Sequence, residues 1–473
     1  MDDMMNHCRS ANSYKYFLLV GALLTILTGL AAGQGCPPQM TKVRQDEDYS
    51  YLADGALREH WWEQVKFVPF GGNDEWHWTF GAEFRSRYER FVNDEWGAAP
   101  TPDHDYVWLR FMPHLELRYR NRFRVFAELL SAVELGDEAG TSPIDEDRAD
   151  ILQAFADLRV AGDEDLSWTL RGGRQVLALG SERLVSARYG PNVLRSFDAA
   201  DLLFHSATWR VDLLLGRPVA VEEGVFDDHS DASRSFWALY GTCNLGEAKG
   251  LDLYYIGYKS DQATFDQGSA REERHTLGVR FFGQGGRWDW NCELFGQGGS
   301  FGDGNIRAWS FASDVGCVIA GLPFQPRLGL KADIISGDRD PADMDLETFN
   351  PLFPNGKYFG EAGLIGPYNL IDLHPSLDFH LTEQWTLSLA SVFYWRESTA
   401  DGIYGNSGQL LRPDGGSDAR YVGSQFDVVL GYAPSRCLDM SLAYSILVPG
   451  GFIESTEPDE TVQFLGLEFR FRF

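Results

Sequence analysis

Cysteine is scarce in this sequence, six in 473 residues, and none of the six stands in a CxxC or zinc-ligand spacing. That excludes a disulfide-dense scaffold or a zinc module as the organising device. A disulfide among Cys243, Cys292, Cys317 and Cys437 stays open, although Cys292 shares the apolar parity of Trp288, Trp290 and Leu294. Positive charge is also short: 41 Lys and Arg against 69 Asp and Glu leave a formal charge of −28. Nucleic acid and anionic membrane surfaces are excluded as partners of the whole protein. No HExxH, GxSxG, P-loop or dinucleotide fingerprint occurs, so no catalytic residue, cofactor or metal is assigned and a non-enzyme is expected. Long apolar runs are limited to one, residues 17–30. Fourteen residues fall short of the about 20 that a spanning helix takes. Arg9 and Lys15 precede the run, and Ala31 and Gly33 follow it, which reads as a signal peptide over 1–33. Cys36 raises lipidation as an alternative, but Gly33 stands where such signals usually carry Leu.

What is abundant is alternation. In 78–90, WTFGAEFRSRYER, Trp78, Phe80, Ala82, Phe84 and Tyr88 share one parity, and Thr79, Glu83, Arg85, Arg87 and Glu89 share the other. This is the period of a strand with one apolar and one strongly polar face. The pattern recurs at 107–119, 123–129, 151–160, 166–175, 197–206, 207–216, 235–244, 251–259, 274–282 and 287–296. It continues at 305–315, 326–335, 369–380, 384–396, 421–432, 437–447 and 461–473. About 18 such segments, at about 24 residues per strand and connection, suit ten-residue tilted strands joined by alternating turns and loops. The expected fold is all-β, a transmembrane antiparallel up-and-down β-barrel, with 34–74 as a periplasmic N-terminal segment and the barrel over 75–473. The segment 34–74, with a short amphipathic piece at 57–68, is too small for a globular plug. Fourteen Trp and 19 Tyr suit interfacial girdles, and the last strand alternates Leu465, Leu467, Phe469, Phe471 and Phe473 against Glu468, Arg470 and Arg472. The expected location is the outer membrane.

If the apolar parity meets lipid, the polar parity lines a lumen holding Arg85, Arg87, Arg110, Arg118, Arg396, Arg470 and Arg472, with Glu83, Glu116, Asp157 and Asp333 among them. Guanidinium groups recognise carboxylates bidentately, and a ring of them concentrates anions. The competing reading is that cross-strand Arg–Glu pairs only fill and stiffen the bore.

Two stretches exceed generic barrel pattern: 171–198, RGGRQVLALGSERLVSARYGPNVLRSFD, and 333–359, DIISGDRDPADMDLETFNPLFPNGKYF. With WWEQVKFVPFGGNDEWHWTFGAEFRSRYE before them and FYWRES after, they resemble the alginate export family of outer-membrane porins over about residues 57–473. The resemblance implies a monomeric eighteen-stranded barrel with an arginine-rich lumen that passes a linear uronate polymer outward. It carries over by residue to Gly173, Arg174 and Gln175, to Leu179, Gly180, Arg183 and Leu184, and to Arg195, Phe197 and Asp198. It also covers Ser336, Gly337 and Asp338, then Phe349, Asn350, Pro351, Leu352 and Phe353. Tyr189 and Ala199 depart from the pattern, where Trp and Gly are usual, and polymer specificity stays open. Arg174, Arg183 and Arg195 sit where strands meet a non-alternating connection, as inward-folded backbone at a constriction would. The alternative is that they brace Asp198 or Asp338. Arg174→Glu or Arg85→Glu is expected to lower anion selectivity without disturbing assembly. Asp338, Asp340, Asp343 and Asp345 could take a calcium ion, but their spacing lacks the DxDxDG form, which favours a solvated loop.

The expected function is a channel for an anionic polysaccharide, with a general or uptake porin for small anionic solutes as the alternative. Expected partners are the polysaccharide, outer-membrane lipid and periplasmic export components.

Overall fold

A computed structural model describes residues 40–72, 75–136, 142–163 and 165–473, so the expected leader lies outside the described residues. Eighteen strands form the wall. They are β1 Trp76–Val92, β2 His104–Tyr119, β3 Phe123–Leu135, β4 Asp147–Gly162, β5 Leu166–Gln175, β6 Phe197–Ser206, β7 Trp209–Ala220, β8 Arg234–Asn244 and β9 Lys249–Phe265. The second half comprises β10 Gly268–Gly285, β11 Trp288–Phe301, β12 Gly304–Val318, β13 Arg327–Ile335, β14 Leu370–His380, β15 Trp385–Trp395, β16 Tyr421–Ser435, β17 Leu438–Pro449 and β18 Val462–Arg472. Each pairs antiparallel with its sequence neighbours, and β1 pairs with both β2 and β18, with Arg85 opposite Arg470. The sheet closes on itself, and the other sheet among the described residues is only the small pair 403–404 and 410–412 within a loop, which excludes a sandwich.

Closure explains the alternation. The outward parity forms continuous apolar rows from strand to strand, such as Val279–Leu294–Phe311–Ile334–Ile371. Leu213, Leu239, Leu277, Leu294 and Phe311 on this face are exposed. An apolar belt of this extent is not carried by a soluble monomer, whereas acyl chains solvate it at no cost. A one-residue register slip would send arginines into lipid, so the register is strongly specified.

Two rims differ. One carries connections of two to eight residues, between β2 and β3, β4 and β5, and so on to β16 and β17. The other carries most of the long connections, including 176–196, 336–369 and 396–420. Short turns face the periplasm and long loops the exterior in barrels of this kind. At the short-turn rim the ring of Trp76 lies near that of Tyr119 (4.8 Å), Trp168 near Phe204 (4.7 Å) and Trp385 near Tyr432 (4.4 Å), as in an interfacial girdle.

The long connections fold into the barrel. Connection 176–196 meets 336–369 through a bridge between Val185 and Phe353, and Phe353 packs against Phe197 (5.1 Å) and Phe236 (5.4 Å). Asn369 joins 336–369 to 396–420 by donating to the carbonyls of Ser398 (3.0 Å), Asp401 (2.9 Å) and Gly402 (2.9 Å). Gly337 is required here, because a Cβ would lie 2.0 Å from Asn369 Oδ1. Cys243, Cys292 and Cys317 are free thiols, while Cys437 is disulfide-bonded, so the open disulfide does not form among these four.

Candidate transport pathway

The inward parity carries most of the guanidinium groups expected there, and their neighbours divide them into two sets. The first set holds loops. Arg85 is 1% exposed and donates to the carbonyls of Tyr189 (3.0 Å), Gly190 (2.8 Å) and Pro191 (2.7 Å). Arg110 bonds Glu83 (2.7 Å) and the carbonyls of Tyr189, Pro191 and Asn192 at 3.1–3.4 Å, while the Tyr189 hydroxyl donates to Glu83. These bonds pin the apex of 176–196 against β1 and β2. Arg396 does the same for 396–420, donating to the carbonyls of Ala419 (2.7 Å), Thr399 (3.0 Å) and Asp401 (3.1 Å). Arg183 pairs with Asp333 (2.6 Å) beneath the Tyr358 ring, and Arg195 lies over Phe353 (5.4 Å). Arg85 therefore does more than present charge: Arg85→Glu would place a carboxylate among three carbonyls and loosen the connection 176–196, so its effect on current would report the loop as well as the charge.

The loop motif belongs to the same framework. Ser336 donates to Glu347 O (2.8 Å) and accepts from Trp309 N (2.9 Å). Gly337 N donates to Glu397 (3.2 Å), and Asp338 N to Asp401 (2.9 Å). Asn350 donates to Glu272 (3.1 Å), Pro351 lines a small cavity with Arg183, and Leu352 takes φ +62°. Asp338, Asp340 and Asp343 each accept a backbone N–H two residues on, at 2.7–3.2 Å, so these carboxylates shape turns. Burial pushes Asp338 up to about 6.

Arg174 stands apart. It shares the parity of exposed Trp168 and Leu170, pairs across with Asp198 (2.9 Å) and reaches Asp150 (3.7 Å) at the long-loop rim. Its selectivity effect loses its basis, because that parity is the outward one.

The second set rings the short-turn mouth. Arg118, Arg124, Arg171, Arg210, Arg327 and Arg470 come from six strands, all with inward parity and all toward the short-turn end. Their partners are Glu116 (2.5 Å), Asp157 (2.7 Å, shared by Arg124 and Arg171), Asp212 (3.1 Å), Asp289 (2.5 Å) and Asp439 (2.5 Å). Arg472 also meets Asp439 (3.2 Å), and Arg87 pairs with Glu89 and Glu468. The mouth groups keep access to solvent: the side chains of Arg210, Arg118 and Arg327 are 62%, 28% and 27% exposed. Arg210 was not among the residues singled out from sequence, although the alternation of 207–216 carries it.

Residues 40–49 enter the bore from this mouth. Arg44 donates to Phe473 O (2.8 Å), Gln45 donates to Val176 O (3.0 Å) in the inward connection, and Arg124 donates to Gln45 O (2.7 Å). Lys42 approaches Glu182 (3.9 Å), and Arg58 staples the segment through the carbonyls of Leu52, Lys66 and Phe67. The segment is no globular domain, yet it fills space between wall and inward loop.

Lys66 is the strained point of this docking. It is fully buried, its Nζ has no hydrogen-bond partner and it sits over Tyr49 (4.6 Å). Burial first, then the charge of Arg44, pulls it from 10.5 to about 7, against Glu47 and Glu116. His114 also faces it, across Gly81. The docked segment thus holds a neutral Lys66 above pH 7, whereas a released one stays protonated up to 10.5. Docking strengthens as pH rises between these values and is pH-independent below 7. We expect single-channel current to fall as pH rises from about 7 to about 10, and Lys66→Met to abolish that dependence while tightening docking. Identical pH profiles for the two proteins would refute the role of Lys66.

A closed barrel with a lipid-facing apolar belt, inward-folded loops and an arginine-ringed mouth defines the class of outer-membrane channels. The alginate export family model matches residues 77–466, and the chain belongs to that family. Among solved structures, Pseudomonas aeruginosa OpdO is similar at TM-score 0.56 and 15% identity, covering 83% of this chain and 96% of that one. Pseudomonas aeruginosa OpdK, crystallised with vanillate, gives 0.56 and 12%, covering 83% and 98%. Pseudomonas aeruginosa OccD3 (OpdP) gives 0.56 and 12%, covering 87% and 93%. At these identities the likeness is one of fold. No match to a curated protein was found. Fold and family point to a channel, a class without catalysis, and support an outer-membrane location.

Proposed function

We propose that this channel passes an anionic polysaccharide of uronate type outward, admitting it at the short-turn mouth. The observation that carries the reading is the set of arginines from six strands at the mouth that faces the periplasm, with Arg118, Arg210 and Arg327 open to solvent. A carboxylate on each sugar of a polyuronate can exchange with the acidic partners of those guanidiniums one after another, so the chain moves without any single strong site holding it. Membership of the alginate export family supports the same reading. Lipid surrounds the apolar belt, the closed sheet leaves no strand edge for a neighbour and suits a monomer, and periplasmic export components would meet the short-turn rim.

The second reading is a porin for small anionic solutes. The filling of the bore by 40–49 and by the connections 176–196 and 336–369 favours it, as does a neighbour in fold solved with vanillate.

Planar-bilayer recordings with added oligouronates separate the two. An exporter's current is blocked in steps that lengthen with oligomer length, and R118E/R210E/R327E weakens block at least about tenfold, or about 1.4 kcal/mol. Block that is independent of oligomer length, or unchanged in the triple variant, contradicts the polymer reading. Loss of secreted uronate on deleting the gene would corroborate it in the cell.

A further inference from the structure

The long-loop rim holds a group of carboxylates that neither fold nor transport explains. Asp150 at the start of β4 and Asp227 and Asp228 in the connection 221–233 bring one oxygen each to within 4.8 Å of one another. That is the span of two oxygens across a calcium ion with ligands at about 2.4 Å. A separate observation points the same way. Asp147 is 1% exposed, its Oδ1 has no hydrogen-bond partner, and the charges acting most strongly on it are those of Asp228, Asp150 and Asp227. A buried carboxylate facing other carboxylates without a counter-charge is costly unless a cation joins them. Arg174 supplies one positive charge to this group, at 3.7 Å from Asp150, and is already engaged by Asp198.

The backbone is arranged around the same point. Asp228 N donates to Asp150 Oδ2 (3.0 Å), and Glu222 N to Asp228 Oδ1 (2.8 Å). Ala149 and Val225 form a bridge, and a Cβ on Gly224 would lie 1.9 Å from Asp227 Oδ2. The connection is thus folded back on β4 with its carboxylates gathered at Asp150, three residues along the strand from Asp147. All donors are hard oxygens, with no His or Cys among them, which selects calcium or magnesium over transition metals. Irregular placement from two separate segments favours the flexible coordination of calcium over the octahedron of magnesium.

We propose that Asp147, Asp150, Asp227 and Asp228 form a calcium site that locks the connection 221–233 to β4 at the outer rim. The site differs from the acidic stretch 338–345, whose carboxylates cap turns.

The test uses the full-length protein extracted in detergent and stripped with a chelator. Equilibrium dialysis with radioactive calcium should show one saturable site per chain, in the range about 0.1–1 mM typical of extracellular modules. D147N and D227N should each weaken binding at least tenfold, while D343N should not. Calcium should slow amide exchange in 221–233 of the wild type, with magnesium less effective at equal concentration. Heat-modifiable migration on gels verifies that each variant is a folded barrel. If a variant fails that check, the wild-type exchange pattern decides. No saturable binding below about 5 mM, equal affinity in a folded D227N, or calcium protection absent from 221–233 would overturn the proposal.

Discussion

Removing residues 40–66 is expected to raise single-channel conductance several-fold while leaving a closed, heat-modifiable barrel. The ladder of the wall does not depend on this segment: eighteen strands pair with one another, and β1 closes on β18 through its own register, although Tyr49, Leu52 and Trp62 pack on Leu438, Phe469 and Phe471. What the segment contributes is contents. It places Arg44 and Gln45 between the wall and 176–196, holds Phe473 O through Arg44, and occupies Arg124 and Arg472 through the carbonyls of Gln45 and Met40. Its loss frees those guanidiniums at the mouth and widens the path together. A milder pair, Arg44→Ala with Gln45→Ala, should give intermediate, flickering openings, because Arg472 still holds Met40 O and Phe67 N still donates to Thr79 of the wall. Unchanged conductance after the deletion would show that current does not pass beside 40–49.

The second large effect is expected from Arg110→Ala. The Arg110–Glu83 pair is buried on both sides, and losing one partner of such a pair costs about 3–5 kcal/mol because the other stays charged and unpaired. Three carbonyls of 189–192 lose a donor in the same step, and the apex keeps Arg85 and the side chain of Asn192, which donates to the carbonyls of Leu109, Val133 and Asp145. The loss falls on the connection 176–196, since its docking depends on these bonds while the wall depends on the ladder. We therefore expect a protease to cut within 176–196 in the variant and not in the wild type, with noisy current of higher mean. Arg110→Lys should rescue poorly, because an ammonium cannot reach three carbonyls and a carboxylate as the planar guanidinium does. Retained protease resistance in the alanine variant would mean that Arg85 and Asn192 suffice to hold the loop.

Number and parity of the strands were legible because lipid on one side and water on the other impose a two-residue period. Strand ends were less so. The alternation marks 251–259, whereas β9 runs Lys249–Phe265, since beyond the apolar belt both faces meet water or loops and the period fades. The arginines were legible as inward side chains but not in what they hold. The partners of Arg85 are backbone carbonyls more than a hundred residues away, and a carbonyl leaves no mark in a sequence. The sequence places Arg174 at a constriction because a non-alternating connection follows it, whereas its own parity, shared with Trp168 and Leu170, points outward. Residues 40–49 carry no period at all, because a segment inside a polar bore is held by single contacts rather than by a face. The motif FNPLF was visible as a family mark. Its physical role emerges only when Phe353 is seen bridging to Val185 and packing on Phe197 and Phe236.

A chain of net charge −28 nevertheless offers guanidiniums to whatever passes through it. The reversal potential of the purified protein in a planar bilayer, under a tenfold KCl gradient at neutral pH, measures this directly. Anion selectivity is the predicted result, shifted toward cations in R118E/R210E/R327E. A cation-selective wild type, or a reversal potential that the triple variant leaves in place, would contradict an arginine-lined path.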